Sequence, residues 1–337
     1  MIDFLNALVA FSNFVLIPAI SYGSQLALGA LGVTLVFGVL RFSNFAHGET
    51  MAFGAMVTIL VTWAFQGMGI SAGFLPTALL AMPFGIIAAA IFVLITDRVV
   101  YRFYRQERAA PVIFLIVSVG VMFVMNGLVR FIIGVDDQRF LDGERFIVTV
   151  REFRDMTGLD EGLAIRTTQG LTVVTAVIVV AALFWFLTKT RTGKSMRAYS
   201  DNEDLALLSG INPERVVMIT WILVGALATI AGVLYGLDKS FKPFTYFQLL
   251  LPIFAAAIVG GFGSPIGAIA GGFIIAFSET MLTYAFKRVA NHVLPENLEI
   301  DGLAQLLATD YKFAVSFAIL VIVLLIRPTG LVGGRSS

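Results

Sequence analysis

Pro243–Ser278 reads PFTYFQLLLPIFAAAIVGGFGSPIGAIAGGFIIAFS, without one charged side chain. As a single helix rising 1.5 Å per residue it would reach roughly 54 Å, against roughly 30 Å of hydrocarbon in a bilayer. The run is too apolar for a water-soluble surface and too long for one ordinary crossing. Gly260-Gly261-Phe262-Gly263-Ser264-Pro265 interrupts it, and we read two segments there, a re-entrant piece followed by a full span being one arrangement.

Further charge-poor stretches fall at about 14–40, 50–70, 74–95, 109–129, 170–187, 216–237 and 311–326. Only 13% of the chain is charged and 58% is hydrophobic, where a soluble domain carries about 25% charged residues. Lipid is therefore the expected solvent, and helices are expected because a spanning segment must satisfy its own backbone hydrogen bonds. The sequence predicts a single all-α membrane domain over 1–337, a polytopic helical bundle of about eight membrane segments with interrupted or re-entrant helices. Met1–Asn13 lacks the basic start of a secretory signal, so the first apolar segment is expected to stay as a membrane helix. The last segment, Phe313–Ile326, is short, and its flanks Lys312 and Arg327 are expected to snorkel to the interfaces.

Arg98, Arg102, Arg105 and Arg108 crowd one loop, and Lys189, Arg191, Lys194 and Arg197 crowd another, which places both on the cytoplasmic side. The mixed loop at 130–168 then lies outside, the N-terminus outside and the C-terminus inside. Gly-containing breaks near 37–55 and 257–276 suggest repeat halves 1–165 and 166–337, since transporters built from repeats place solute at such breaks. A chance pattern in a Gly-rich membrane protein is the competing reading.

With no cysteine, thiolate metal sites, disulfides and cysteine nucleophiles are excluded. Arg191-Thr192-Gly193-Lys194-Ser195 ends like a phosphate-binding loop, but Thr188 stands where the pattern needs glycine, and no strand precedes it. Nucleotide binding by this chain is not expected, nor any metal or other cofactor. A net charge of +1 gives no argument for nucleic acid.

Ser200–Arg215 reads as a short amphipathic helix. Asp201 or Asn202 can cap its start, Glu203 and Asp204 suit the first turn, Leu205, Leu208 and Ser209 share a face, and Gly210 can stop it before Ile211 and Asn212. Such a helix suits docking into a partner's groove, or is a solvated loop on the membrane surface. Ser43, Asn44, His47 and Glu49 break the first two segments with polar groups, which are costly at membrane depth unless they line a path or turn the chain at the interface. Glu279, in an apolar stretch, carries the path-lining reading too, with a neutral or paired structural residue as the alternative. Gly263, Gly267 and Gly271 fall four apart, a stripe for close helix packing.

Taken in order, Asn44–Glu49, Arg191–Lys194, Leu208–Asn212, Gly260–Ala268 and Arg327-Pro328-Thr329-Gly330 resemble the signatures of LivH-type branched-chain amino acid ABC transporter permeases over nearly the whole chain. The resemblance implies an importer in the bacterial cytoplasmic (inner) membrane. Two permease subunits, homologous to one another, would work with two ATPases holding ATP and Mg, and with an extracytoplasmic solute-binding protein.

It also implies that 200–212 is the helix coupling the permease to an ATPase, with Asp201, Glu203, Asp204, Leu205, Leu208, Gly210, Ile211 and Asn212 in that role. Ser43, Asn44, His47, Glu49, Gly260, Gly261, Gly263 and Ser264 would lie at or near the path, and 130–168 would receive the binding protein. The solute would be a branched-chain or other small amino acid moved by ATP-driven alternating access. Permeases for urea or short-chain amides share these motifs. A secondary transporter using Glu279 as a proton site is the alternative from another class, and no catalytic constellation favours an intramembrane enzyme.

Overall fold

A computed structural model of the chain describes residues 2–141, 145–293, 304–327 and 329–332. Among the described residues, nine helices are long and apolar enough to cross a membrane. The first is a continuous helical run from Ile2 to Leu40, made of α1 (Ile2–Phe11), a π-helical turn at Ser12–Leu16, and α2 (Ile17–Leu40). There follow α3 (His47–Gly67), α4 (Ala78–Thr96), which runs through a π-helical turn into the short α5 (Arg102–Gln106), and α6 (Pro111–Ile133).

The loop after α6 carries two strands, β1 (Phe146–Val148) and β2 (Ile165–Arg166), paired antiparallel around α7 (Val150–Thr157). The all-helical expectation did not include this hairpin; residues 142–144 of the loop lie outside the described residues. Then come α8 (Thr167–Lys189), α9 (Arg191–Asp201), α10 (Glu203–Leu208), α11 (Pro213–Lys239), α12 (Pro243–Gly260), α13 (Pro265–Thr283), α14 (Lys287–Val293) and α15 (Lys312–Ile326). The uncharged run divides at the glycine break into α12 and α13. At about 27 Å, α12 is close to the length of a full span.

The helices sort into a core and a rim. α2 sits at the centre, against α8, α11, α12 and α13, while α11 also packs on α3 and α4. Two thirds of the most apolar window is buried in α11 and α12, but only 22% in α6 and α8 and 11% in the last segment. The rim helices therefore offer their apolar faces outward, as lipid contact requires. Small residues set the inner spacing: a side chain at Gly232 would meet the Met51 carbonyl at 2.5 Å, and one at Gly272 the Ala27 backbone at 2.7 Å.

The connections gather at two ends. At the lower end, the Arg41 guanidinium reaches the Ser200 carbonyl, Ser200 Oγ donates to the Gly38 carbonyl at 2.7 Å, and Arg102 pairs with Glu214 at 2.5 Å. At the upper end, Gln138 and Phe241 exchange both backbone hydrogen bonds at 2.8 Å, and Trp63 donates to the Arg139 carbonyl. The first helix extends further toward this end than the expected segment, and there Asn6 and Asn13 bond to Asp160, Glu161 and Ala164 of the long loop.

One expectation for the last segment fails. Arg327 is exposed as a snorkelling flank should be. Lys312 instead folds inward, its Nζ 3.7 Å from Glu279 Oε2 and 3.7 Å from the centre of the Tyr22 ring. A buried carboxylate and an aromatic face outcompete the interface for this ammonium.

Candidate functional site

The break after α2 begins at Arg41, whose φ of +59° is left-handed and whose N–H caps the helix on the Phe37 carbonyl at 3.0 Å. Asn44 then turns the chain: its Oδ1 accepts from the Ala46 N–H at 3.1 Å and from the Tyr101 hydroxyl at 3.3 Å. Ser43 is half-buried. His47 and Glu49 already belong to α3 and are enclosed, at 0% and 1% exposure. The imidazole of His47 fills the space left by Gly32, where a side chain would meet Nε2 at 2.9 Å. Glu49 accepts from Asn126 Nδ2 of α6 at 2.7 Å. In this conformation both residues join helices together, while both His47 ring nitrogens and Glu49 Oε2 make no hydrogen bond.

The second break meets the first. Phe37 and Phe262 stack with centroids 4.3 Å apart, and Gly38 faces the Gly263 α-carbon. Gly261 and Gly263 take positive φ angles of +112° and +83°, conformations that glycine reaches without strain. Ser264 then caps α13, its Oγ accepting from the Gly267 N–H at 3.1 Å, with Pro265 in the first turn.

Gly263 is therefore not part of the expected packing stripe. It precedes the helix, and a side chain there would meet open space. The close approach uses Gly267 and Gly271, facing the carbonyls of Gly260 and Ala256 across the break. The C-terminal strap closes over the same place: Leu331 and Val332 donate to the Val259 and Gly260 carbonyls at 2.8 and 3.0 Å. Pro328 of the quoted motif lies outside the described residues. A cavity of about 550 Å³ opens beside the paired breaks, bordered by Thr34, Gly38, Leu187, Lys194, Arg197 and Gly263.

Beyond that cavity the chain forms a corner. Thr190 caps α9 through the Gly193 N–H at 3.0 Å, so the stretch resembling a phosphate loop is the start of a helix, with Gly193 buried against Leu187. The helix expected over Ser200–Arg215 is split in three: the end of α9, the six-residue α10, and the start of α11. Asn202, rather than Asp201, caps α10 by accepting from the Leu205 N–H at 3.0 Å. Gly210 ends it at a φ of +81°, with the Ile211 N–H returning to the Ala206 carbonyl at 3.0 Å. Asn212 caps α11.

Glu203 accepts from the Tyr199 hydroxyl at 2.6 Å. Burial and then that carboxylate hold the Tyr199 phenol above its ordinary pKa. Leu205 and Leu208 remain 61% and 86% exposed beside exposed Asp201 and Asp204.

The family described as "Branched-chain amino acid transport system / permease component" matches residues 15–324. The chain belongs to this permease family. It is 32% identical over 321 residues to the high-affinity branched-chain amino acid transport system permease protein LivH of Escherichia coli K12, covering 93% of each chain. It is 29% identical to BraD of Pseudomonas aeruginosa, covering 94% of each, and 27% identical to a probable LivH of Methanocaldococcus jannaschii, covering 95% of this chain and 92% of that one. This permease is thus a multi-pass inner-membrane transport subunit, and ATP hydrolysis belongs to a separate subunit.

Sequence reasoning singled out Glu279 but missed the charged and polar cluster around it at the permease's upper end. Its members Asp238 and Lys312 sit at helix ends, where polar residues ordinarily mark an interface, while Tyr22 and Gln25 lie within the run Ile2–Leu40. Two of them, Tyr22 and Gln25, lie three apart on α2, and that shared face was the available signal.

Proposed function

We propose that this permease carries branched-chain amino acids across the membrane within an ATP-driven importer, with its lower end in the cytoplasm and its N-terminus outside. The observation that carries this reading is the α9–α10 corner. Leu205 and Leu208 stand exposed on a short helix capped at both ends, at the end of the bundle holding the Arg98–Arg108 loop and the Lys189–Arg197 cluster. Apolar side chains held out on a rigid corner beyond the bundle suit a groove on a soluble partner. The partners are two ATPase subunits holding ATP and Mg, a second permease subunit against the rim helices, and a solute-binding protein at the 130–168 loop.

The path runs along the central helices to the paired breaks at Arg41–Ala46 and Gly261–Ser264 and the cavity beside them. ATP binding draws the ATPases together, the corner moves with them, and the breaks exchange an outward-open for an inward-open arrangement. This requires that the ATPase bind the two arrangements with different affinity, since equal affinity shifts nothing.

The test is reconstitution in proteoliposomes with the partner ATPases and binding protein. ATP-dependent leucine uptake, and ATP hydrolysis stimulated by leucine-loaded binding protein, are expected. Stimulation by urea or a short-chain amide instead of leucine would reassign the solute. Uptake by the permease alone, driven by an ion gradient, would overturn the importer reading.

A further inference from the structure

Four helices converge below the upper loops on a cluster at the upper end of the central helices. α2 contributes Tyr22 and Gln25, α11 Asp238 and Lys239, α13 Glu279, and α15 Lys312 and Ser316. Glu279 is fully buried, Tyr22 and Gln25 are 2% exposed, and Asp238 is 7% exposed. Glu279 accepts from the Ser316 hydroxyl and lies 3.7 Å from Lys312 Nζ. Asp238 Oδ2 lies 3.9 Å from Lys239 Nζ and 3.5 Å from Gln25 Nε2. The two carboxylates and two ammonium groups balance in charge.

A network that served only to hold helices together would saturate its polar atoms, because an unpaired buried oxygen costs about 1–3 kcal/mol. This one does not. Glu279 is engaged by Ser316, Lys312 and Tyr22, but Gln25 Oε1 and Asp238 Oδ1 are buried without a hydrogen bond. These two oxygens, from α2 and α11, lie beside the engaged groups: Tyr22 interacts with Glu279 and Tyr235, and Lys312 with Glu279 and Asp238. Ionisable groups kept at such a position mark a solute or ion pathway more often than a scaffold.

The surroundings narrow the chemistry. The unpaired oxygens of Asp238 and Gln25 are acceptors, suited to an ammonium, with the Glu279 carboxylate beside them. Lys312, Lys239 and the Tyr22 hydroxyl are donors, suited to a carboxylate. One helical turn deeper on the same faces stand Leu26, Leu234 and Ile275, all buried and aliphatic. On the outer side, a cavity of about 570 Å³ lined by Arg139, Arg145 and Arg166 reaches Asp238 and Lys239.

We propose that Glu279, Asp238, Gln25, Lys312 and Tyr22 form a binding site within the permease for the zwitterionic head of an α-amino acid, with its aliphatic side chain directed toward Leu26, Leu234 and Ile275. The site is reached from the upper cavity, and its closed form is the one described. This deepens the reading of the chain as an amino-acid permease and rests on it.

The test uses the permease assembled with its ATPases in nanodiscs, without the binding protein, and radiolabelled leucine as probe. Saturable leucine binding is expected, with leucinamide, which lacks the carboxylate, and 4-methylpentanoate, which lacks the ammonium, each competing about tenfold or more weakly. Glu279→Gln and Lys312→Met should each weaken leucine binding by about tenfold or more, with assembly of each variant checked by copurification of the ATPases. The analogue competition is read on the unaltered protein, so a variant that fails to assemble leaves a decisive measurement.

Absence of saturable leucine binding in a complex that still performs ATP-dependent leucine uptake overturns the site and leaves the transport reading intact. Equal competition by all three compounds, or unchanged affinity in both variants, also overturns it. Absence of leucine uptake by the complete system defeats the transport reading itself.

Discussion

The α-carbon of Gly260 rests against the backbone carbonyl of Gly267, so that the last residue of α12 and the first turn of α13 touch backbone to backbone. A methyl group at either position would fall on the other's carbonyl, and rigid backbone cannot give way as a flexible side chain would. Gly260→Ala and Gly267→Ala are each expected to cost about 1–3 kcal/mol through overpacking. Gly263→Ala, which meets open space but keeps a left-handed backbone, should cost less, on the order of 1 kcal/mol. Thermal unfolding in detergent ranks the three; a Gly263 variant less stable than the other two would contradict the assignment of the stripe.

Leu205→Asp and Leu208→Asp change side chains that are mostly exposed, so folding should be untouched. Copurification with the ATPase is expected to fall by about tenfold or more if these residues fill its groove. Gly210→Val should act differently, because a β-branched residue is strained at a φ of +81° and the Ile211 N–H would lose its partner. Retained ATPase binding in all three variants would remove the corner from the interface.

Asn126→Leu leaves Glu49 without its donor inside the α3–α6 contact. A loss of about 1–3 kcal/mol is expected from the unpaired acceptor. The double variant Asn126→Leu with Glu49→Met, which removes both polar partners, should recover much of it. Unfolding midpoints of the single and double variants decide the matter, and equal midpoints would show that the hydrogen bond contributes nothing.

In the upper loop, Thr149 and Glu152 form a reciprocal cap on α7: the Thr149 N–H donates to Glu152 Oε2 at 2.9 Å, and Thr149 Oγ1 accepts from the Glu152 N–H at 3.3 Å. The Thr149 backbone bond, followed by its hydroxyl, lowers the Glu152 pKa. A carboxylate lowered by folding stabilises above its unfolded pKa, and that contribution is lost as pH falls through the lowered value. The protection factor of the Phe153 amide, which is the intrinsic exchange rate relative to the observed one at each pH, should therefore fall on acidification, and Glu152→Gln should flatten the change. An identical pH profile in the variant would show that other groups govern the helix.

The charge-free run and its glycine break were legible because burial in lipid leaves so few residue types available. Asn202 and Gly210 were legible for a different reason: caps are local, and their partners lie three or four residues away. Lys312 was not, since a cation at a helix end looks the same whether it reaches the interface or turns inward to Glu279 on another helix. His47 posed a similar difficulty, because its complement is the empty space at Gly32, which appears only once the register of α2 against α3 is known. The stripe through Gly263 overran a signal that was present: Ser264-Pro265 marks a helix start, which puts Gly263 outside it.

The run from Ile2 to Leu40 spans roughly 58 Å at 1.5 Å per residue and is anchored at both extremes, by Asn6 and Asn13 to the upper loop and by Arg41 to Ser200 beside the corner. Its one departure from α-helical geometry is the π-helical turn at Ser12–Leu16. From Arg41 up to that turn the helix has no such irregularity, so a tilt imposed beside the corner is carried to Ser12–Leu16, directly under the loop that Asn6 and Asn13 hold.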